Sequence, residues 1–240
     1  MTCRLSAVCF DANDPQPLAR FWSGVLGREI AEEPEDGIAL LPGDDIGFRI
    51  RFLPAHEPKA GQNQRHFDLT STSLEDQQET VARALGLGAR HIDIGQLPEQ
   101  GHVVLADPEG NEFCVMKPDN PFLAGVGLLG VLTCEGSEAV GHFWSKALGW
   151  PLLWDQDQQT AIQSPRGGPH VTWGGDTMLP EEGKNQLHFD LAPDVHGDQE
   201  EEAERLVSLG ATRTGIGQGE VSWVAMADPD GREFRVLTPR

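Results

Sequence analysis

The sequence predicts an α+β fold made of two copies of one domain, each holding two strand-helix-strand units. Two observations carry this reading. Three motif blocks recur in the same order at a nearly constant offset, and the residues between them switch between helical and strand periodicity twice within each copy. At 240 residues the chain is long enough for two domains of ordinary size.

Phe21-Trp22 with Leu26-Gly27 returns as Phe143-Trp144 with Leu148-Gly149, and His66-Phe67-Asp68-Leu69 returns as His188-Phe189-Asp190-Leu191. Both offsets are 122 residues (143 − 21 and 188 − 66). The third block, Asp107-Pro108-Glu109-Gly110-Asn111-Glu112-Phe113, returns as Asp228-Pro229-Asp230-Gly231-Arg232-Glu233-Phe234, 121 residues on (228 − 107). Such regularity marks a duplication, with domains at 1–118 and 123–240 joined near Lys117-Pro118-Asp119-Asn120-Pro121, whose prolines suit a linker.

The elements follow in order. Strands are expected at Val8 to Asp11, Gly47 to Leu53, His66 to Thr70, Val103 to Ala106 and Phe113 to Met116, each bounded by Gly, Pro or Asp turns. Asp14-Pro15 starts a helix, with Asp as N-cap and Pro in the first turn; Leu18, Phe21, Trp22, Val25 and Leu26 share one face, and Gly27 ends it. Ser73 and Asp76 approximate a capping box ahead of a second helix carrying Leu74, Val81 and Leu85, closed by Gly86 and Gly88. The second copy repeats this with Val140, Phe143, Trp144 and Leu148, then Ala203, Leu206 and Val207. Around His188, the apolar Leu187, Phe189 and Leu191 alternate with His188 and Asp190, so one strand face can pack on helices while the other carries polar chemistry.

Composition narrows the partners. With 38 acids against 18 bases the net charge is −20, a field that repels nucleic acid backbones and anionic membranes. No apolar run reaches membrane-spanning length, and the start of the sequence lacks signal-peptide features. Four cysteines without a CxxC pair suit a reducing cytoplasm and give no zinc-ribbon or thioredoxin motif.

Four such units, the Phe-Trp helix, the His that opens a mid-domain strand and the Asp-Pro turn before the last strand together resemble the vicinal-oxygen-chelate superfamily of glyoxalases, bleomycin-resistance proteins and extradiol dioxygenases. Segments Glu57 to Asn63 and Glu182 to Asn185 look like its glyoxalase-like branch. The resemblance covers nearly the whole chain. It implies tandem glyoxalase-like domains, each with two βαβββ units forming one curved mixed sheet per repeat around a cleft, whose walls are the strand faces opposite the helices.

The resemblance also implies a divalent metal, held by a His on the first strand, a second His and a Glu on the last strand. Here only the second His survives, as His66 and His188. The first position falls on Ala7 and Leu129, the Glu position on Cys114 and Arg235, and a fourth-strand position near Ile50 and Thr172. Glu112 and Glu233 point to the same side two residues earlier, but that displacement is about 6.6 Å along a strand. No metal cofactor is therefore expected.

The residues expected to meet a ligand are His66, Asp68 and Cys114 in one copy and His188, Asp190 and Arg235 in the other, with Trp154 and Trp173 stacking on a planar molecule. Cys114 reads as a buried apolar filler ahead of a cleft nucleophile, and Arg235 as the partner of Glu233 ahead of a receiver for an anionic group. The second copy is the preferred cleft, because Trp154, Trp173 and Arg235 all belong to it. The expected function is metal-free binding of a small apolar or aromatic molecule by a monomer or homodimer. The rivals are a metal-dependent lyase, isomerase or dioxygenase, a metal-free acid-base enzyme using His66 or His188, and a remnant with no ligand.

Overall fold

A computed structural model describes residues 3–32, 37–43, 48–56, 59–97, 100–174, 186–215 and 222–239. Glu57-Pro58, Glu182 to Asn185 and the expected strand start at Gly47 lie outside the described residues.

The chain forms four βαβββ units. The first holds β1 (Arg4–Ala12), α1 (Pro15–Leu26), β2 (Ile30–Glu32), β3 (Ile38–Leu40) and β4 (Arg49–Pro54). The second holds β5 (Arg65–Leu69), α2 (Leu74–Gly86), β6 (Arg90–His91), β7 (Val103–Ala106) and β8 (Glu112–Val115). A 3-10 turn at Pro121–Leu123 lies in the linker. The third holds β9 (Leu129–Glu135), α3 (Glu138–Leu148), β10 (Leu152–Gln156), β11 (Gln159–Gln163) and β12 (His170–Gly174). The fourth holds β13 (Leu187–Ala192), α4 (Gln199–Leu209), β14 (Thr212–Arg213), β15 (Trp223–Ala227) and β16 (Glu233–Leu237). Among the described residues no helix is long and apolar enough to cross a membrane.

Helix ends follow the sequence signals with local changes. Gly27 and Gly149, both at φ 66°, close α1 and α3 in the left-handed region that glycine adopts without strain. Asp14 sits at the N-cap of α1, but its side chain makes no capping bond. The carboxylate of Glu109 serves instead, accepting from the backbone of Asn13 and Asp14 at 2.8 and 2.7 Å. Ser73 caps α2 as expected, and Asp76 turns back one residue further to Thr72. Leu74 and Val207, expected on buried helix faces, are 63% and 43% exposed, since the buried positions of their helices are Gln77, Thr80 and Ala84, and Glu202, Ala203 and Leu206.

Two motif blocks bond to each other within each repeat. The Trp22 indole donates to Asp107 at 3.1 Å, and Trp144 donates to Asp228 at 3.2 Å. Around each indole the aromatic rings meet edge to face: Trp22 lies 5.4 Å from Phe67 and 5.0 Å from Phe113, and Trp144 lies 5.0 Å from Phe189 and 5.1 Å from Phe234. Asp230 repeats the part of Glu109, accepting from the backbone and hydroxyl of Ser137 at the start of α3. The apolar core thus joins the first unit to the second, and the third to the fourth.

The sheets pair the units differently. There are two eight-stranded mixed sheets, as the fold class requires, but neither belongs to one repeat. Sheet I runs β14-β15-β16-β13-β1-β4-β3-β2, combining the first and fourth units; sheet II runs β10-β11-β12-β9-β5-β8-β7-β6, combining the third and second. The expectation of one sheet per repeat is corrected. Because units of one repeat face each other through their cores, the edges of β1 and β5 stay open, and each is closed by an antiparallel strand of the other repeat, β13 and β9 respectively.

Two outcomes follow from this packing. Residues 1–118 expressed alone keep both edges unpaired and should elute as a dimer in light-scattering chromatography; a stable monomer with native circular dichroism would refute the exchange. Burial pushes the Asp107 carboxyl up to about 6, against the donors from Asn111, Trp22 and Glu109. The folded state then holds this proton more tightly than the unfolded one, so its contribution to stability is complete below the ordinary value of 3.8 and is lost as pH rises through about 6. Urea midpoints at pH 5 and pH 7 should show wild type gaining more on acidification than Asp107→Asn.

Candidate functional site

Strand alternation gives each sheet a core face and a polar concave face. In sheet I, Val8, Phe10, Ile50, Phe52, Phe189, Leu191, Phe234 and Val236 are core, which turns Ala7, Cys9, Arg49, Arg51, His188, Asp190, Glu233 and Arg235 the other way. Register arranges the polar residues in rows across the strands. One row reads Arg235, Asp190, Ala7, Arg49; the next reads Glu233, His188, Cys9, Arg51. In sheet II the matching rows read Cys114, Asp68, Val131, His170 and then Glu112, His66, Thr133, Thr172. We refer to these faces as cleft I and cleft II.

Cleft II holds a cavity of about 500 Å³, with Asp68, Thr133 and Thr172 on its floor and Met116, Val131 and Phe122 among its walls. Three of its lining residues, Asn120, Phe122 and Leu123, come from the linker, and the Phe122 ring meets His170 edge to face at 4.7 Å. Trp154 stands at the rim, 42% exposed. Trp173 also belongs to the wall, but its ring is buried and stacks on Trp144 at 6.4 Å, on the core side.

The sequence candidates are therefore divided differently from the expectation. His66, Asp68 and Cys114 share cleft II with Trp154 and Trp173, whereas His188, Asp190 and Arg235 share cleft I. The preferred cleft of the second copy does not exist as a unit, because the exchanged sheets separate its tryptophans from its His188 and Arg235. Sequence reasoning missed Cys9, Thr133 on the floor and Asn120 and Phe122 from the linker; Thr172 was reached only as a fourth-strand metal position. Counting back from Phe-Trp gave Ala7 and Leu129, while the residues directly across from the two histidines are Cys9 and Thr133. Ile50 points into the core, leaving Arg51 beside it on the cleft face.

Asp68 is the hub of cleft II. Thr133 Oγ1 donates to its Oδ2 at 2.6 Å, and His66 Nε2 lies 3.4 Å from its Oδ1. Burial works against its charge, but the hydrogen bond and charge of His66, then Thr133 and Cys114, outweigh it and hold the carboxyl below its ordinary range. For His66 burial likewise opposes protonation, and Asp68 followed by Glu112 and Glu135 overcomes it, raising the imidazole. Burial and Asp68 together push the Cys114 thiol far up, so it is a proton donor and apolar filler, not a nucleophile. Glu112 accepts from Lys59 at 2.7 Å.

Cleft I is organised by guanidinium groups. Arg51 donates to Asp190 at 2.8 Å, and His188 lies 3.8 Å from Asp190 and 3.9 Å from Asp11. Arg235 was expected to pair with Glu233; two residues along one strand face the spacing is about 6.6 Å, and the guanidinium instead lies 4.9 Å over the ring of Trp223. Burial, followed by Asp190, raises the Cys9 thiol well above its usual value.

Each cleft offers a group of side chains to the divalent ion that the resemblance implies. Donor atoms of Cys9, His188 and Asp190 lie within 4.8 Å of one another, as do those of His66, Asp68 and Cys114. In cleft I the carboxylate already carries the Arg51 guanidinium, and a dication there faces that charge at contact distance. In cleft II the donor set is one imidazole, one carboxylate and one thiol, and Asp68 is satisfied by protons from His66, Thr133 and Cys114. Neither cleft fits the oxygen-and-imidazole ligand set that the resemblance implies.

Comparison with known proteins agrees with the architecture. The sequence model of a glyoxalase-like domain matches residues 7–116 and again residues 130–237. Glyoxalase I from Zea mays superposes with a TM-score of 0.68 at 14% identity, covering 99% of this chain and 92% of that one. A structure described as a dioxygenase from Bacillus subtilis superposes at 0.62 with 15% identity, covering 99% and 85%. At these identities the likeness is one of fold. No curated protein matches the sequence.

The hub makes a direct prediction. Asp68→Asn removes the charge that raises His66, leaving burial dominant, so His66 should titrate at lower pH in the variant than in wild type. Imidazole proton shifts followed by NMR across pH 5 to 8 read this; an unchanged midpoint would mean that Asp68 does not control the site.

Proposed function

The chain belongs to the glyoxalase-like domain family, and from that membership we propose that cleft II binds a small, planar, largely apolar molecule without a metal. One observation carries the reading: a cavity of about 500 Å³ with a largely apolar lining, in which Asp68, Thr133 and Thr172 group on the floor and Asn120, Gln159 and Thr160 are the other polar residues. This is the usual form of a small-molecule site, in which apolar burial supplies affinity and a few polar groups fix orientation. At roughly 25 cal/mol per Å² of apolar surface removed from water, burying one face of a two-ring aromatic is worth a few kcal/mol.

The floor decides which way round such a molecule lies. The Asp68 carboxylate takes a hydroxyl or amide N–H, and the threonine hydroxyls serve as donor or acceptor. Trp154 at the rim stacks on a planar ring that projects from the cavity. Linker residues Phe122 and Leu123 line the cavity, so the join between the repeats contributes to the site.

A second reading is favoured by the raised His66 beside a buried carboxylate, which is the pairing that proton transfer uses. On that reading His66 moves a proton on a molecule oriented by Thr133. Metal chemistry in cleft II would require an ion to displace the protons that now satisfy Asp68.

Neutral 2-naphthol serves as the probe. It should quench or shift tryptophan emission, with affinity falling about tenfold, or about 1.4 kcal/mol, in Trp154→Ala and by a similar factor in Thr133→Val. Elemental analysis should find no stoichiometric first-row metal, and chelator should leave the melting temperature unchanged. Wild-type affinity in both variants would remove the assignment to cleft II. One tightly bound zinc per chain, with destabilisation by chelator, would replace it with a metal centre.

A further inference from the structure

We propose that cleft I is a second binding site of different chemistry, taking a small planar organic anion whose carboxylate is received by Arg235. The registers of the two sheets match the clefts position by position, and the site stands independently of the reading of cleft II.

The two concave faces share a frame and differ in charge. At equivalent places stand His188 and His66, Asp190 and Asp68, Glu233 and Glu112, and one step beyond, Asp11 and Glu135. The remaining positions diverge in one direction. Arg235 replaces Cys114, Arg51 replaces Thr172, and Arg49 replaces His170. With histidines neutral, the compared positions of cleft I carry three arginines against three carboxylates, and those of cleft II carry three carboxylates and no arginine or lysine. In a protein with a net charge of −20, three arginines on one concave wall are a local feature that the overall composition does not explain.

The arginines are not equivalent. Arg51 is committed to Asp190 at 2.8 Å, where it holds the carboxylate that the equivalent Asp68 offers to a hydroxyl in cleft II. Arg235 makes no ion pair among the described residues; it is partly exposed, and its guanidinium lies over Trp223 at 4.9 Å. A guanidinium that lies over an indole meets the ring with its charge and still has N–H groups that can donate two parallel hydrogen bonds to a carboxylate. Trp223 is itself half-buried on β15, next to β16, so an aromatic carboxylate can meet the guanidinium with its charge and the tryptophan with its ring. A neutral ligand forms no ion pair with that guanidinium. Cleft II lacks both parts, since Cys114 stands where Arg235 does.

The test uses the full chain and two isosteric probes, 1-naphthoate and the uncharged 1-naphthamide, followed by calorimetry and tryptophan emission. Wild type should bind naphthoate at least about tenfold tighter than the amide, with the preference falling as salt is raised. Arg235→Gln should abolish the preference; Arg235→Lys, which keeps the charge and loses the two-pronged geometry, should retain part of it and serves where the glutamine variant fails to fold. Trp154→Ala, in cleft II, should leave it intact. The proposal is overturned if naphthoate binds no tighter than the amide, if the preference survives Arg235→Gln, or if Trp154→Ala removes it. Because 2-naphthol reports on cleft II through other residues, either site can fail alone.

Discussion

The indole N–H of Trp22 bonded to the buried Asp107, and its copy from Trp144 to Asp228, is the interaction on which the rest of the molecule depends. Each links the helix of one unit to the last turn of the next, and the surrounding phenylalanines make that joint the core of the repeat. A carboxylate held without water is costly unless donors surround it. Asp107 receives Trp22, Asn111 and the backbone of Glu109 and Asn111, so the turn and the helix are specified together. Once two units are fixed through their cores, their sheet edges cannot also meet. The strands β1 and β5 must find partners elsewhere in the chain, and both concave faces are thereby built across the repeat boundary.

This geometry changes what duplication makes possible. A homodimer of single repeats would form the same two composite clefts, and symmetry would force them to be identical. In one covalent chain the clefts draw on different units, so substitutions on the second and third units alter one and substitutions on the first and fourth alter the other. The linker adds a further asymmetry, since it occurs once and its Phe122 and Leu123 wall only cleft II.

Much of the architecture was legible because local physics wrote it twice. The Phe-Trp helices, their glycine ends, the alternation around His66 and His188 and the four-unit order are direct consequences of periodicity and turn chemistry. The pairing of edges was not legible, because β1 presents the same alternation whether its neighbour is β5 or β13, and only the packing behind it decides. The division of the site residues failed for the same reason. Trp173 was open to correction from sequence alone: it shares a strand face with Val171, and that face is core. Thr133 and Cys9 were missed because counting from the helix assumed equal connections, whereas register against the histidines places the facing residues further along each strand. The Arg235–Glu233 pairing failed because strand spacing leaves a guanidinium free to turn onto Trp223 instead.

What the two clefts can hold is decided by the counter-charge each gives its buried aspartate. Asp190 is answered by the Arg51 guanidinium at 2.8 Å, so its charge is balanced within the wall by a group that does not titrate. Asp68 is answered by an imidazole, a hydroxyl and a thiol, each of which neutralises by sharing a proton and each of which a ligand group can replace. The first arrangement is fixed across the whole physiological range, because arginine does not titrate there. The second changes with pH, because deprotonating His66 leaves Asp68 with its hydrogen bonds and without its cation. On the readings proposed above, occupancy of cleft II would follow the protonation of His66, and the arginines of cleft I would make its occupancy respond to ionic strength.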